Sequence, residues 1–294
     1  VKIKNNILFI VNPISGKGNA VKIMKNLNSG PINYNFLITK KETGPEDIRQ
    51  EIRNSGADTV VAVGGDGTVN MVATALKNSE IPLGIIPCGS GNGLARSLGY
   101  SMNPIKSFEQ VLKRNIRMMD AGTVNGKPFY CTAGIGFDAA VAHDFAHLKK
   151  RGLINYVRLV VRKLFRYKFF LSSIPEWDNS SSEYFMITIG NAPQFGNDFY
   201  IVPRAKLNDG MLDICAIKKF NVYIVPSLLS KIIRKKVFEH SSCLYHKLAE
   251  FTIKCKEEQP LHTDGEPAGN FKEFHFRLEK QCLKVIVPKS TFFD

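Results

Sequence analysis

The sequence predicts an α/β N-terminal domain built on a parallel sheet, followed by a mainly antiparallel β domain with helical insertions. Three observations carry that expectation. Strand and helix patterns alternate over about the first 115 residues, three glycine-rich turns fall where strands end, and near Ile116 the texture changes to alternating runs with hairpin signals. The expected domains are residues 1–120 and 121–294, with the last strand, about 281–294, expected to pack back on the first domain.

The elements follow in order. Ile7 to Val11 is an apolar run that reads as a buried first strand, and it ends in Asn12-Pro13-Ile14-Ser15-Gly16-Lys17-Gly18. A helical pattern through Val21, Met24 and Leu27 comes next, then an alternating strand with Tyr34, Phe36 and Ile38. Pro45 opens a helix that Asn54-Ser55-Gly56 closes. Val60 to Val63 is a β-branched strand that stops in Gly64-Gly65-Asp66-Gly67 and resumes as a helix with Val69, Val72, Ala73 and Leu76 on one face. Leu83 to Ile86 is the next strand, ending in Pro87-Cys88-Gly89-Ser90-Gly91-Asn92-Gly93. Ligands of such sheets sit at the carboxyl ends of the strands, where all three glycine-rich turns fall.

Past Ile116, Asn125-Gly126 between two apolar runs signals a hairpin. Alternating runs at Tyr184–Ile189, Met211–Ile217, Phe251–Cys255, Phe274–Leu278 and Leu283–Val287 extend the β pattern. Two helical stretches interrupt it. One, from Asp138 to Phe170, mixes Lys149, Lys150, Arg151, Arg158, Arg162, Lys163, Arg166 and Lys168 with apolar residues; the other, Val222 to Phe238, contains Lys231, Arg234, Lys235 and Lys236.

Composition narrows the function classes. A net charge of +14 over 294 residues favours an anionic partner, and no recognition module for nucleic acid accompanies the basic residues. The six cysteines show no Cys-x-x-Cys spacing, which argues against a zinc knuckle or disulfide framework and for a reducing cytoplasm. The apolar start is too short to span a membrane, so any membrane contact is expected to be peripheral.

Single motifs are weak. The chain lacks the full Gly-x-x-x-x-Gly-Lys-Ser/Thr loop, and Leu94 stands where a dinucleotide fingerprint needs its third glycine. His143 and His147 have zinc-ligand spacing, but Asp144 occupies the place of the metalloprotease glutamate and no third ligand is evident. Asn208-Asp209-Gly210 and Asp264-Gly265-Glu266 each fit a plain hairpin turn, although Glu266 would project from a rigid strand end.

Taken together in order, Asn12-Pro13-x-Ser15-Gly16, Gly64-Gly65-Asp66-Gly67-Thr68-x-Asn70, Gly89-Ser90-Gly91-Asn92, Asn208-Asp209-Gly210 and Asp264-Gly265-Glu266 resemble the diacylglycerol kinase catalytic family over nearly the whole chain. That family includes bacterial diacylglycerol and other lipid kinases and is related to sphingosine and ceramide kinases. The resemblance implies an NAD kinase-like nucleotide-binding first domain and a lipid-substrate second domain. It implies ATP contacts at Asn12, Pro13, Ile14, Ser15, Gly16, Thr39, Gly65, Asp66, Gly67, Thr68, Val69, Asn70, Met71 and Ser90, with Asp66 central to the phosphates and their Mg²⁺. Glu266 matches the family's proton acceptor. Asp209, with the backbone carbonyls of Lys206 and Met211, matches a second, structural Mg²⁺ site that Asp120 reaches through water. Met71 departs from the pattern, since the family usually has Glu there.

The function implied is transfer of the ATP γ-phosphate to a lipid primary hydroxyl, at the inner face of an anionic membrane, with a homodimer left open. The rivals are an NAD kinase-like enzyme with a soluble substrate, which shares the glycine-aspartate-glycine motif, and a non-catalytic ATP- or lipid-binding protein, which Met71 motivates.

Overall fold

The computed structural model of this chain describes residues 6–18, 20, 33–146, 153–164, 166–196, 199–289 and 292–293. The chain divides into two units, Val1–Asp120 with Lys280–Asp294, and Ala121–Glu279.

In the first unit, β1 (Asn6–Val11) lies between β2 (Asn33–Ile38) and β3 (Thr59–Gly64), and β3 also pairs with β4 (Leu83–Pro87), every ladder running parallel. The end of the last strand, β13 (Glu266–Ile286), adds beside β4 through Val285 opposite Leu83. β3 is buried along its whole length, which is why its sequence is continuously apolar rather than alternating. β2 lies at the edge and leaves Tyr34 and Phe36 partly exposed, although both rings pack on Phe9.

Helix boundaries follow local chemistry. α1 (Pro45–Ser55) starts with proline, which has no N–H to lose, and Asp47 Oδ2 accepts the Gly44 N–H at 2.8 Å. It ends at Gly56, whose φ of 60° suits glycine and whose N–H donates to the Ile52 carbonyl. α2 (Asp66–Leu76) buries Val69, Val72, Ala73 and Leu76, the stripe read from the sequence. The short α3 (Gly93–Ser97) follows the third glycine turn. α4 (Pro104–Leu112) is capped by Asn103, whose side chain accepts from the N–H groups of Ile105 and Lys106. The helix expected through Val21, Met24 and Leu27 lies outside the described residues.

The second unit is built from antiparallel ladders. Its strands are β5 (Ile116–Val124, beginning in the first unit), β6 (Lys127–Phe129), β7 (Thr132–Gly136), β8 (Phe170–Ile174), β9 (Asp178–Gly190), β10 (Leu212–Lys218), β11 (Cys243–Leu248), β12 (Glu250–Thr263) and most of β13. The central order is β11-β10-β9-β7-β12-β13, with β8 joining β9 and β12. Asn125 and Gly126, both at positive φ, make the expected tight hairpin between β5 and β6.

Two helical expectations change. The stretch from Asp138 to Phe170 is not helical to its end: its described parts are α5 (Phe137–Ala146) and α6 (Leu153–Leu164), and Phe170 opens β8 opposite Tyr184. Here strand pairing outweighs the helical pattern of the charges. The stretch from Val222 to Phe238 is helical only in part. Val222–Ile224 is a 3-10 turn, α7 (Val225–Ile233) is the helix proper, and Lys235 at φ 60° breaks the chain before another 3-10 turn at Val237–Glu239.

Candidate active site

Parallel register decides where the first unit's chemistry collects. Val11 pairs with Val63 and Gly64 with Pro87, so the turns after β1, β3 and β4 leave the sheet at one level on one edge. Hydrogen bonds then tie them together. The Asn12 N–H donates to the Val63 carbonyl (3.1 Å), its side-chain amide donates to Thr68 Oγ1 (3.2 Å), and the Cys88 N–H donates to the Gly64 carbonyl (2.8 Å). Thr39, buried just past β2, donates its N–H to the Val11 carbonyl.

Asp66 is the knot. It is the first residue of α2, and its two carboxylate oxygens accept the N–H groups of Gly93 (2.7 Å) and Asn92 (2.9 Å) at the start of α3. Asn92, held at φ 54°, closes the third turn on itself by accepting from the Gly89 N–H and donating to the Gly89 carbonyl. The first intrahelical bond of α2 runs from the Val69 N–H to the Gly65 carbonyl, so the amides before it head the helix where its dipole favours an anion. An anionic phosphate there also meets the Asp66 carboxylate, and a cation is needed to offset the repulsion. Arg96 on α3, whose Nε donates to the Gly91 carbonyl at 3.2 Å, is one such cation. Sequence reading missed it although it stands only five residues after Gly91.

Glycine is required where the turns touch. A Cβ on Gly89 would lie 2.6 Å from the Gly65 Cα and 2.8 Å from Asn92 Oδ1, and one on Gly16 would lie 3.1 Å from the Cys88 carbonyl oxygen at a φ of 63°. Gly89→Ala is therefore expected to cost about 1–3 kcal/mol by overpacking. Urea denaturation of the variant checks this, and an unchanged midpoint would mean that the turns separate freely. Cys88 in the same loop is no nucleophile, since burial pushes its thiol up to about 11.

The remaining expected nucleotide residues distribute around these turns. Pro13, Ile14, Ser15 and Gly16 form the turn after β1, and Ile14 is exposed. Gly65 and Gly67 flank Asp66. Thr68 and Val69 are buried, Asn70 and Met71 are half-buried one turn into α2, and Ser90 is exposed in the third turn.

In the second unit the Asp-Gly-Glu turn joins β12 to β13. Asp264 (φ 50°) and Gly265 (φ 82°) form it, and the Asp264 carboxylate accepts three backbone N–H groups, from Tyr130 (2.9 Å), Cys131 (2.7 Å) and Thr132 (3.0 Å). Asp264 is thus a clamp for the β6–β7 connection. Glu266 is exposed and makes no hydrogen bond or ion pair with the described residues. Behind the turn lies a buried polar relay absent from the sequence reading. The Gly265 N–H donates to His262 Nδ1 (3.3 Å), His262 Nε2 lies 3.4 Å from Asp138 Oδ2, and the Thr188 hydroxyl donates to that same oxygen (2.6 Å). Because Nδ1 accepts, the ring proton sits on Nε2, facing the carboxylate. The only sequence hint was His262 standing two residues before Asp264.

The acidic turn at Asn208-Asp209-Gly210 precedes β10. Asp209 Oδ1 accepts the Met211 N–H (3.1 Å), and its Oδ2 lies 2.8 Å from the Lys247 ammonium, which is also 3.3 Å from Asp213 Oδ2. Burial alone would pull the Lys247 ammonium down, but Asp209 and Asp213 together hold it above its ordinary value. Burial pushes the Asp213 carboxyl up to about 6, against the Tyr245 hydroxyl that donates to it at 2.6 Å and the Lys247 charge. Among the described residues no group of three or more His, Cys, Asp and Glu is placed to hold a metal ion. A Mg²⁺ held by Asp209 and the Lys206 and Met211 carbonyls would share the Asp209 carboxylate with the Lys247 ammonium, which also has Asp213 beside it. Asp120, expected to reach that ion through water, is buried in the first unit and accepts the Gln281 N–H at 2.7 Å.

A parallel sheet edge with three interlocked glycine turns, in a chain that continues into an antiparallel β domain, has the form of a site that binds a phosphorylated ligand at the ends of the strands. Comparison specifies it. Residues 6–124 match the diacylglycerol kinase catalytic domain, and residues 131–287, more than half of the chain, match the YegS C-terminal NAD kinase beta sandwich-like domain. The chain belongs to the diacylglycerol kinase catalytic family, a kinase family whose members use ATP. It is 27% identical to the diacylglycerol kinase of Bacillus subtilis (strain 168), over 79% of this chain and 78% of that one. It is also 27% identical to a Pseudomonas aeruginosa (strain UCBPP-PA14) protein named "Probable lipid kinase YegS-like", over 86% and 84%. A crystal structure from Bacillus anthracis str. Sterne, of a protein assigned as a diacylglycerol kinase, shares the fold with a TM-score of 0.81 at 23% identity, covering 98% of this chain and 97% of that one.

Proposed function

We propose that this chain transfers the γ-phosphate of ATP to the primary hydroxyl of a lipid, diacylglycerol or a related lipid alcohol. The observation that carries the reading is the set of three glycine turns that Asn12 and Asp66 tie together, in a chain of the diacylglycerol kinase family. The lipid as acceptor is supported by relatives named for lipid kinases, and nothing favours a soluble NAD-like acceptor.

Phosphoryl transfer asks a protein mainly for positioning and for neutralising charge on phosphate oxygens. On this reading ATP lies along Asn12–Gly16, Thr39, Gly65–Met71 and Ser90. The leading amides of α2 address its phosphates. Arg96 adds positive charge beside the third turn. Mg²⁺, bound with the nucleotide, supplies the rest of the neutralisation. Glu266 takes the proton of the lipid hydroxyl as the new bond forms, and its freedom from ion pairs with the described residues suits that task. Asp209, with the backbone carbonyls of Lys206 and Met211 and with Asp120 through water, would hold a second Mg²⁺ with a structural part and no role in the transfer step. The workplace on this reading is the cytoplasm, at the inner face of an anionic membrane. No helix among the described residues is long and apolar enough to cross one.

The test is incubation with γ-labelled ATP, Mg²⁺ and a total lipid extract, followed by identification of the labelled species by mass. A phosphorylated lipid is expected. Retained ATP binding with no labelled lipid would overturn the reading in favour of a non-catalytic binder.

A further inference from the structure

The helix α7 carries two apolar stripes where the fold uses one. Leu228 and Ile232, one turn apart, are buried in the cluster that contains Phe185 and Val237. Leu229 and Ile233, also one turn apart, face outward at 43% and 71% exposure, and the 3-10 lead-in adds Val222 at 43% and Tyr223 at 85%. Scattered exposed apolar residues are ordinary, but four within twelve positions on one short segment are an interaction surface.

The charge around the stripe selects the partner. Lys231 lies within it and Arg234, Lys235 and Lys236 follow, and among the described residues Glu239 is the one carboxylate paired with them, at 2.7 Å from Lys231 and 3.2 Å from Lys236. The Lys235 ammonium sits 3.8 Å over the Tyr200 ring, and the Arg234 guanidinium makes no hydrogen bond or ion pair with the described residues. Four cations against one carboxylate leave a surplus of positive charge. A second copy would bring that surplus against itself, whereas an anionic lipid surface accepts both the stripe and the charge.

We infer that the segment from Val222 to Lys236 is the face by which this protein docks on anionic lipid bilayers. This rests on the lipid-kinase reading for its purpose, though not for its evidence. It moves the docking face away from the basic stretch between Lys149 and Phe170. Among the described side chains of α6, Leu159, Val160 and Leu164 pack on the same buried cluster and Val161 is the large apolar one that is exposed.

The experiment uses the full chain and sedimentation with vesicles of phosphatidylglycerol and phosphatidylcholine (1:1), or of phosphatidylcholine alone. Binding to the anionic vesicles that weakens with salt is expected. The double variants Leu229→Ser/Ile233→Ser and Arg234→Gln/Lys235→Gln are each expected to weaken it by about tenfold or more. The α6 variant Arg158→Gln/Arg162→Gln is expected to stay within about twofold of the parent chain. Phosphorylation of a water-soluble short-chain diacylglycerol by the α7 variants is expected to match the parent chain. Docking variants that bind like the parent, a parent chain that ignores anionic vesicles, or an oligomer that the α7 variants dissolve would each overturn the proposal. Vesicle binding through α7 without lipid phosphorylation would uphold the docking face and sink the kinase reading.

Discussion

Glu266→Gln is expected to cut turnover by about 10²–10⁴-fold while leaving the fold and ATP binding intact, and Asp264→Ala, two residues earlier in the same turn, is expected to damage the fold itself. The first expectation follows from chemistry. The amide is nearly isosteric but cannot take a proton, and a positioned general base contributes about 10²–10⁴-fold to rate. The Glu266 side chain is exposed and holds nothing in place among the described residues, so the melting temperature stays put. The second follows from connectivity. Removing the Asp264 carboxylate strands three backbone N–H groups at the β6–β7 connection, at a cost of about 3 kcal/mol. Urea denaturation, fluorescent nucleotide binding and phosphorylation rate measured on both variants separate the roles. Near-normal turnover in Glu266→Gln would end its assignment as the base.

Asp66→Asn is the second large expectation. An amide oxygen replaces one acceptor, but the amide nitrogen of the new side chain faces either the Asn92 or the Gly93 N–H, donor against donor. The third glycine turn then loses its anchor to α2. Stability is expected to fall by about 1–3 kcal/mol, and the phosphorylation rate by about 10²-fold or more as the phosphate-binding amides lose their preorganisation. Denaturation and single-turnover kinetics check the two parts. A variant that melts like the parent but has lost activity would show that the carboxylate acts on the nucleotide and its metal and not on the loops. The structure therefore gives Asp66 a part that the sequence reading did not, as a tie between turns as well as a neighbour of phosphate.

The N-terminal elements were legible because each depends on local information. β-branched runs, Pro45 at a helix start, Gly56 at a helix end and the four-residue stripe of α2 all record short-range physics. The glycine turns were legible for the same reason, since few other residues tolerate such close approach and positive φ. The stretch from Asp138 to Phe170 misled because charge and apolar spacing fitted a helix, whereas Phe170 and its neighbours pair with β9, 4 to 14 positions further along, and with the distant β12. Lys247 and the His262–Asp138 pair escaped notice because each meets its partner only through the fold. Asp213 and Lys247 are 34 positions apart in sequence and directly opposite across β10 and β11.

By itself, the sequence determined the two-part architecture, the family and the residues that carry its motifs, because a motif is a statement about neighbours along the chain. Tertiary structure alone decided what those residues hold. It put two amides on Asp66, three on Asp264 and an ammonium on Asp209, and it left Glu266 and the outer stripe of α7 open to whatever the protein meets. The physical reason is that a carboxylate's role is set by the donors within about 3 Å of it, and those donors come from distant parts of the chain.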